Sequence, residues 1–181
     1  MAKATYRAST TTLATTGTAS KSFFAIIGSA TKRVTVTRIR VSCPTIASVG
    51  YFAIKIVKNS TATASPDNTL TNVPLNSGFA AATAAVYTWT SDQTVGTAVG
   101  IIDAWRMLAQ ATTAAAAGFP DSHVFTYGDI AAGRVDTPLY DVNTSGVVLN
   151  GVAEELSLQW AATTGATTTL SVSVEWIEEN P

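Results

Sequence analysis

The chain has 181 residues and 18.8 kDa, the size of one domain, with 13% charged residues and a formal net charge of −1. A mean hydropathy of +0.24 with so little charge excludes an intrinsically disordered chain, and the charge balance excludes a protein that works by neutralising phosphates. One Cys and one His exclude a disulfide framework or a Cys/His metal site within a single chain. In chain order, residues 6–14 are a Thr-rich first strand, followed by Thr15-Thr16-Gly17-Thr18 as a turn and a second strand over 21–28. The opening 1–20 is also a candidate arm. Over 33–43 the apolar parity changes, from Val34 and Val36 to Ile39 and Val41, which predicts a β-bulge, and Pro44 is expected to end that strand. Phe52, Ile54 and Ile56 alternate in the next strand. Residues 59–82, rich in Ser, Thr, Asn, Pro and Ala, predict a long loop, functional or arm-like.

Beyond it, 83–89 and 98–109 predict strands, although Ile101, Ile102, Trp105, Leu108 and Ala109 also fit a helical stripe. Residues 112–121 predict another low-charge loop, and 123–127 and 147–149 short strands. Leu156, Leu158 and Trp160 alternate with polar neighbours, as do Leu170, Val172, Val174 and Trp176, with Thr163-Thr164-Gly165-Ala166 between the two runs. This predicts a terminal β-hairpin over 155–177 with Trp160 and Trp176 facing the core. Eight to ten short strands without a long helix predict an all-β fold, an antiparallel β-sandwich of jelly-roll type with long loops, as a single domain over 1–181.

Charge is segregated along the chain. Lys3, Arg7, Lys21, Lys32, Arg33, Arg38, Arg40, Lys55 and Lys58 fill the first 58 positions without an acid, and all twelve acids follow, accompanied only by Arg106 and Arg134. The two parts carry +9 and −10. Basic strands beside acidic ones within the sandwich would cancel these charges; alternatively, a basic and an acidic face meet between copies or on a scaffold. The second reading makes Arg33, Arg38, Arg40, Lys55 and Lys58 a candidate interaction surface, with Trp89, before Thr90-Ser91-Asp92, as its exposed aromatic. A folded chain of this mass exposes roughly 8,300 Å². The 23 charges are thus sparse on it, which favours association.

Chemistry-bearing residues are few. Asp121-Ser122-His123 has the residue types of a triad, but adjacent residues do not supply triad geometry, and Cys43 before Pro44 reads as a small core residue. Glu154-Glu155 and Glu178-Glu179 are the adjacent acid pairs; nothing places either across a cleft, and the second reads as a solvated end. Asp129, Asp136 and Asp141 lack the dense spacing of a calcium loop. Trp89, Trp105, Trp160 and Trp176 with Tyr51, Tyr87, Tyr127 and Tyr140 are the residue types of a sugar-stacking platform. No catalytic residue, cofactor or metal is expected. The N-terminus lacks an apolar signal region, so synthesis is expected in a cytoplasm, and Asn59-Ser60-Thr61 and Asn143-Thr144-Ser145 are taken as chance sequons.

Four stretches carry a resemblance: Ala8-Ser9-Thr10-Thr11-Thr12-Leu13; Lys32-Arg33-Val34-Thr35-Val36-Thr37-Arg38-Ile39-Arg40-Val41; Gly146-Val147-Val148-Leu149-Asn150-Gly151 running on to Leu158; and Val172-Ser173-Val174-Glu175-Trp176-Ile177-Glu178-Glu179. In style of sequence the chain resembles small β-sandwich structural proteins of tailed-bacteriophage virions. The resemblance implies a non-enzymatic head component, foremost a decoration or cement protein that clamps capsomers. It also implies self-association as a trimer, the major capsid protein as partner, and a place in the virion after synthesis in the host cytoplasm. Nucleic acid is not expected as a partner from the charge balance, nor a membrane, since no apolar run approaches the ~20 residues that span a bilayer. Another virion part (tail, connector or head fibre) and a carbohydrate-binding β-sandwich module are the alternatives.

Overall fold

A computed structural model describes residues 4–46, 50–109, 122–126, 146–164 and 167–181. Among these there is no helix. The strands are β1 (Ala4–Thr15), β2 (Ser22–Ile27), β3 (Arg33–Ile46), β4 (Gly50–Asn59), β5 (Asn68–Thr69), β6 (Val73–Pro74), β7 (Ala85–Thr88), β8 (Ala98–Ala109), β9 (Ser122–Thr126), β10 (Val147–Leu149), β11 (Glu155–Trp160) and β12 (Thr168–Glu179). They form two antiparallel sheets packed face to face. The first sheet runs β10-β3-β12-β1-β6, with β9 also on β3; the second runs β5-β7-β2-β11-β4-β8.

The pairing is nested. β1 takes β12, β2 takes β11, β3 takes β9 and β10, and β4 takes β8. First pairs with last, so the chain folds as one long doubled ribbon rolled into a sandwich, which is the jelly-roll arrangement. The expected all-β sandwich is therefore what forms.

The nesting corrects the expected terminal hairpin. Both strands exist, but β11 pairs with β2 and β4 while β12 pairs with β1 and β3, so the two lie in different sheets and form no hairpin. Period-2 alternation fixes which face of a strand is buried, not which strand lies beside it. The candidate arm is likewise corrected, because β1 is hydrogen-bonded along β12 from Ala4 to Thr15. Residues 59–82 are no free loop: they carry β5 and β6 and bind both sheets. The 98–109 segment is a strand throughout. Residues 112–121 lie outside the described residues.

The parity change in β3 is a bulge at Thr37. Arg38 stands opposite Glu175 and Val36 opposite Trp176, leaving Thr37 as the extra residue, its hydroxyl donating to Glu175 O at 3.2 Å. Pro44 does not end β3. The strand continues to Ile46 through a second register shift between Ser42 and Thr45, and a bulge is a place where a proline is tolerated.

The core lies between the sheets. Val34, Val36, Ile39 and Val41 of β3, Leu170, Val172, Val174 and Trp176 of β12, and Leu156, Leu158 and Trp160 of β11 are all buried. Trp160 and Trp176 face inward as their phase predicts; Tyr6 stacks on Trp176 at 5.8 Å and Phe23 lies 4.6 Å from Trp160.

Candidate interaction surfaces

The outward residues of β12 are Thr169, Ser171, Ser173, Glu175, Ile177 and Glu179, alternating with its buried ones. Register places basic strands on both sides. Glu175 stands opposite Arg7 of β1 and opposite Arg38 of β3, and both guanidinium groups reach the same Oε1, at 3.8 and 3.9 Å. Arg40 stands one row on, opposite Ser173, and Arg33 stands opposite Glu179. The outer face of this sheet is thus short hydroxyl side chains studded with Arg7, Arg33, Arg38 and Arg40 against Glu175 and Glu179.

This arrangement decides much of the charge segregation in favour of cancellation within the chain. The acidic last strand lies between two basic early ones because the fold pairs first with last. It also divides the candidate surface. Arg33, Arg38 and Arg40 share one face, whereas Lys55 and Lys58 belong to β4 of the other sheet. There Lys55 Nζ donates to Ser20 Oγ at 2.9 Å, and Lys58 Nζ binds Glu154 at 3.3 Å and Val148 O at 3.0 Å.

Trp89 is a correction. Its relative exposure is 0%, and Nε1 donates to Ala64 O and Ser65 O, each at 3.1 Å. The polar Thr90-Ser91-Asp92 that follows it led to the wrong reading. The carbonyls that satisfy the indole come from the strap 60–67, which folds back across the second sheet and gives the ring both cover and acceptors.

Two glutamates were missed. Glu155 is fully buried on the outer side of β11, beneath the strap. Thr63 donates to it from its amide at 2.8 Å and its hydroxyl at 2.5 Å, and Asn59 Nδ2 donates at 2.5 Å. Asn59 also reaches Ser157 Oγ at 3.3 Å, and Gln159 Nε2 donates to the same hydroxyl at 2.9 Å. The strap itself is double, since residues 94–97 bond back to it through Ser60 N–H to Thr97 O at 2.8 Å and Ala64 N–H to Thr94 O at 3.2 Å. A Cβ on Gly96 would sit 1.7 Å from Thr61 O, so only glycine fits where the two passes touch.

Glu178 is the second, and the expected solvated end is corrected with it. It lies in phase with Val174 and Trp176 and is 6% exposed. Its carboxylate accepts from Thr83 N and Oγ1, from Ala84 N, and from Trp176 Nε1, at 2.7 to 3.0 Å. It thereby ties the lead-in to β7, in one sheet, to β12 in the other. Alternation could have found it: Glu178 is two residues beyond Trp176. Burial, and the Glu178 charge behind it, push the Tyr6 phenol above its ordinary value, and the phenol donates to Ala80 O at 3.0 Å.

At one end of the sandwich a shallow groove of about 340 Å³ is lined by Thr16, Thr18, Ser91, Asp92, Thr163 and Thr164. Thr18 donates to Asp92 from its hydroxyl and, at 3.0 Å, from its amide, which holds that carboxyl below the usual carboxylate range. The floor is Gly17, pressed on the indole of Trp160, where a Cβ would come within 2.5 Å of Cδ1.

Among the described residues no three His, Cys, Asp or Glu side chains converge as metal ligands. Ser122 and His123 open β9, while Asp121, Asp129, Asp136 and Asp141 lie outside the described residues. Exposed apolar side chains concentrate on β8, one of the two edge strands of its sheet among the described residues, at Val99, Ile101 and Ile102. No family model matches the chain, and neither does any curated protein or solved structure.

Proposed function

We propose that this protein is a non-enzymatic structural component of a tailed-phage particle, a head decoration protein that binds the assembled shell and stabilises it. The observation that carries the reading is the arginine-bearing outer face of the first sheet, which no described strand crosses. Its short hydroxyl side chains desolvate at little expense, and among the described residues Arg38 and Arg40 project from them with no acid beyond the shared Glu175 in the neighbouring rows. Guanidinium groups on a flat sheet suit an acidic protein surface, because they present several donors and hold less water than an ammonium. The jelly roll is an architecture used by capsid and lectin domains alike, so the fold agrees with the reading without selecting it. The exposed apolar edge of β8 supplies surface that a trimer of this chain would cover.

A decoration protein stabilises a shell by mass action, since it binds the assembled state and not the free subunits. An interface of about 1,600 Å² per contact suffices, and repetition over the lattice adds avidity. The test is binding of Arg38→Glu/Arg40→Glu to undecorated shells. The double variant should keep its thermal unfolding and lose decoration, and wild-type binding should weaken as salt rises. Particles lacking the protein should assemble but break at lower temperature. Equally robust particles, or a protein present only in the tail, connector or head fibres, would overturn the decoration reading.

One feature favours the carbohydrate-binding alternative, the hydroxyl-lined groove around Asp92 at the loop end. Hydroxyls and a carboxylate are groups that bind sugar hydroxyls. Among the described residues no aromatic side chain lines that groove, and Trp89 and Trp160 are both buried. A glycan array with an Asp92→Asn control decides it.

A further inference from the structure

The turn from β10 to β11 holds Asn150-Gly151, the one place in the chain where an asparagine precedes a glycine. The turn stands in solvent, with Asn150, Val152 and Ala153 all exposed. Among the described residues neither the Asn150 side-chain amide nor the Gly151 N–H has a hydrogen-bond partner. The Asn150 backbone N–H is held by Glu154 Oε2 at 2.9 Å. Gly151 takes a φ of +76°, and no atom beyond its chain neighbours lies within 4 Å of where a Cβ would stand. Two other asparagines, each followed by serine, are placed differently. Asn76 is exposed, but its Oδ1 accepts from the Gly78 N–H at 2.9 Å. Asn59 is fully buried, and its Nδ2 donates to Glu155.

We propose that Asn150 is a site of self-modification, at which the Gly151 amide nitrogen attacks the side-chain carbonyl carbon of Asn150. The Gly151 N–H gives its proton to hydroxide and the new C–N bond closes a cyclic imide. The bond to Nδ2 breaks, and that nitrogen takes a proton from water and leaves as ammonia. Water then opens the imide at one carbonyl or the other, to aspartate or to isoaspartate. Water is the only co-reactant. Three features select this asparagine. A following residue without a Cβ leaves the attacking nitrogen unshielded. An N–H without an acceptor gives up no hydrogen bond when it loses its proton. An exposed side chain without a partner is free to rotate its carbonyl toward that nitrogen. The product sets a new carboxylate beside Glu154, which already binds Lys58 at 3.3 Å. Isoaspartate also adds a main-chain carbon to a turn with little slack, since a Cβ on Gly28 would come within 2.4 Å of Gly151 O. The inference is independent of the shell-binding reading, which rests on Arg38 and Arg40.

The test is incubation of the full chain in mildly alkaline buffer, followed by ion exchange and peptide mapping by mass spectrometry. An acidic form should accumulate and map to Asn150 as a mixture of aspartate and isoaspartate, while Asn59 and Asn76 remain amides. Its rate of formation should rise with pH, because the attacking amide must lose a proton. Gly151→Ala should slow the conversion by about tenfold or more. Asn150→Ser should abolish the acidic form and keep the thermal midpoint of the wild type, so the assignment stands even if Gly151→Ala does not fold. An Asn150 that stays an amide in the folded chain would overturn the proposal, as would conversion of Asn76 at the same rate. An unchanged rate in folded Gly151→Ala would also overturn it. So would aspartate as the sole product, which would mean direct hydrolysis without attack by Gly151.

Discussion

The outer sides of β11 and β12 carry similar short polar residues, Ser157 and Gln159 on one strand and Ser171 and Ser173 on the other, yet Ser157 and Gln159 are buried while Ser171 and Ser173 stay partly exposed. Over β11 the double strap of residues 60–64 and 94–97 closes the sheet, so the polar groups beneath it turn to protein partners, with Asn59 Oδ1 alone among them left unpaired by the described residues. Glu155, Thr63, Asn59, Ser157 and Gln159 bond to one another for that reason. Over β12 no described segment crosses, and Glu175 shares its charge loosely with two half-exposed arginines. The same residue types are therefore buried beneath a strap on one sheet and left partly exposed on the other. The difference lies in what covers them, not in the strands themselves.

Removing Glu155 breaks the covered side most severely. Glu155→Ala leaves the Thr63 amide, the Thr63 hydroxyl and Asn59 Nδ2 buried without their acceptor and should cost about 3–5 kcal/mol in urea unfolding. Glu155→Gln keeps one acceptor oxygen and should cost less, about 1–3 kcal/mol. A loss below about 1 kcal/mol for the alanine variant would mean that the strap contributes little to the fold. The open side should behave in the opposite way. Arg7→Ala and Arg38→Ala lose contacts of 3.8 and 3.9 Å made by side chains that are 45% and 44% exposed. Each should change stability by less than about 1 kcal/mol, and less still at high salt. A larger loss would mark the arginine face as part of the folding core rather than as surface.

The sequence makes the faces legible and leaves the neighbours hidden. Val34, Val36, Ile39 and Val41 announce the bulge at Thr37, and the phase of Trp160 and Trp176 places both in the core, because alternation is a local property of the pleat. That β11 and β12 belong to different sheets is a matter of nested closure, decided by β1 and β2 some 150 residues earlier in the chain. The meeting of Arg7, Arg38 and Glu175 was visible only as a segregation of charge. Their contact needed the strand order, and with it the segregation reads as one acidic strand between two basic ones. Trp89 was misread for a related reason: its cover comes from a segment that looked like a free loop. Glu178 was legible by its phase with Trp176, but its charge argued for solvent, and the donors that overcome the charge, Thr83 and Ala84, lie 94 to 95 positions away.

The smallest expected effect lies between the two faces, at the loop end, where Asp92 is exposed yet anchored. Its carboxyl is held below the ordinary carboxylate range chiefly by the Thr18 hydroxyl, then by the Thr18 amide, with Lys21 adding a weaker attraction. A lowered folded-state value means that the native chain holds this proton less tightly than the unfolded chain does. The stabilisation is therefore present above the unfolded value of about 3.9 and is lost as pH falls through the lower folded value. In Asp92→Asn the charge is gone at every pH. The thermal midpoint of the wild type should exceed that of the variant at pH 7, and the gap should close as the pH is taken down through the lower folded value. Because the group is open to water the gap is expected to be small and to shrink in high salt. A gap that persists unchanged in acid would assign the effect to side-chain shape, and Asp92 would then join the covered class of polar residues, where packing against a strap rather than charge does the holding.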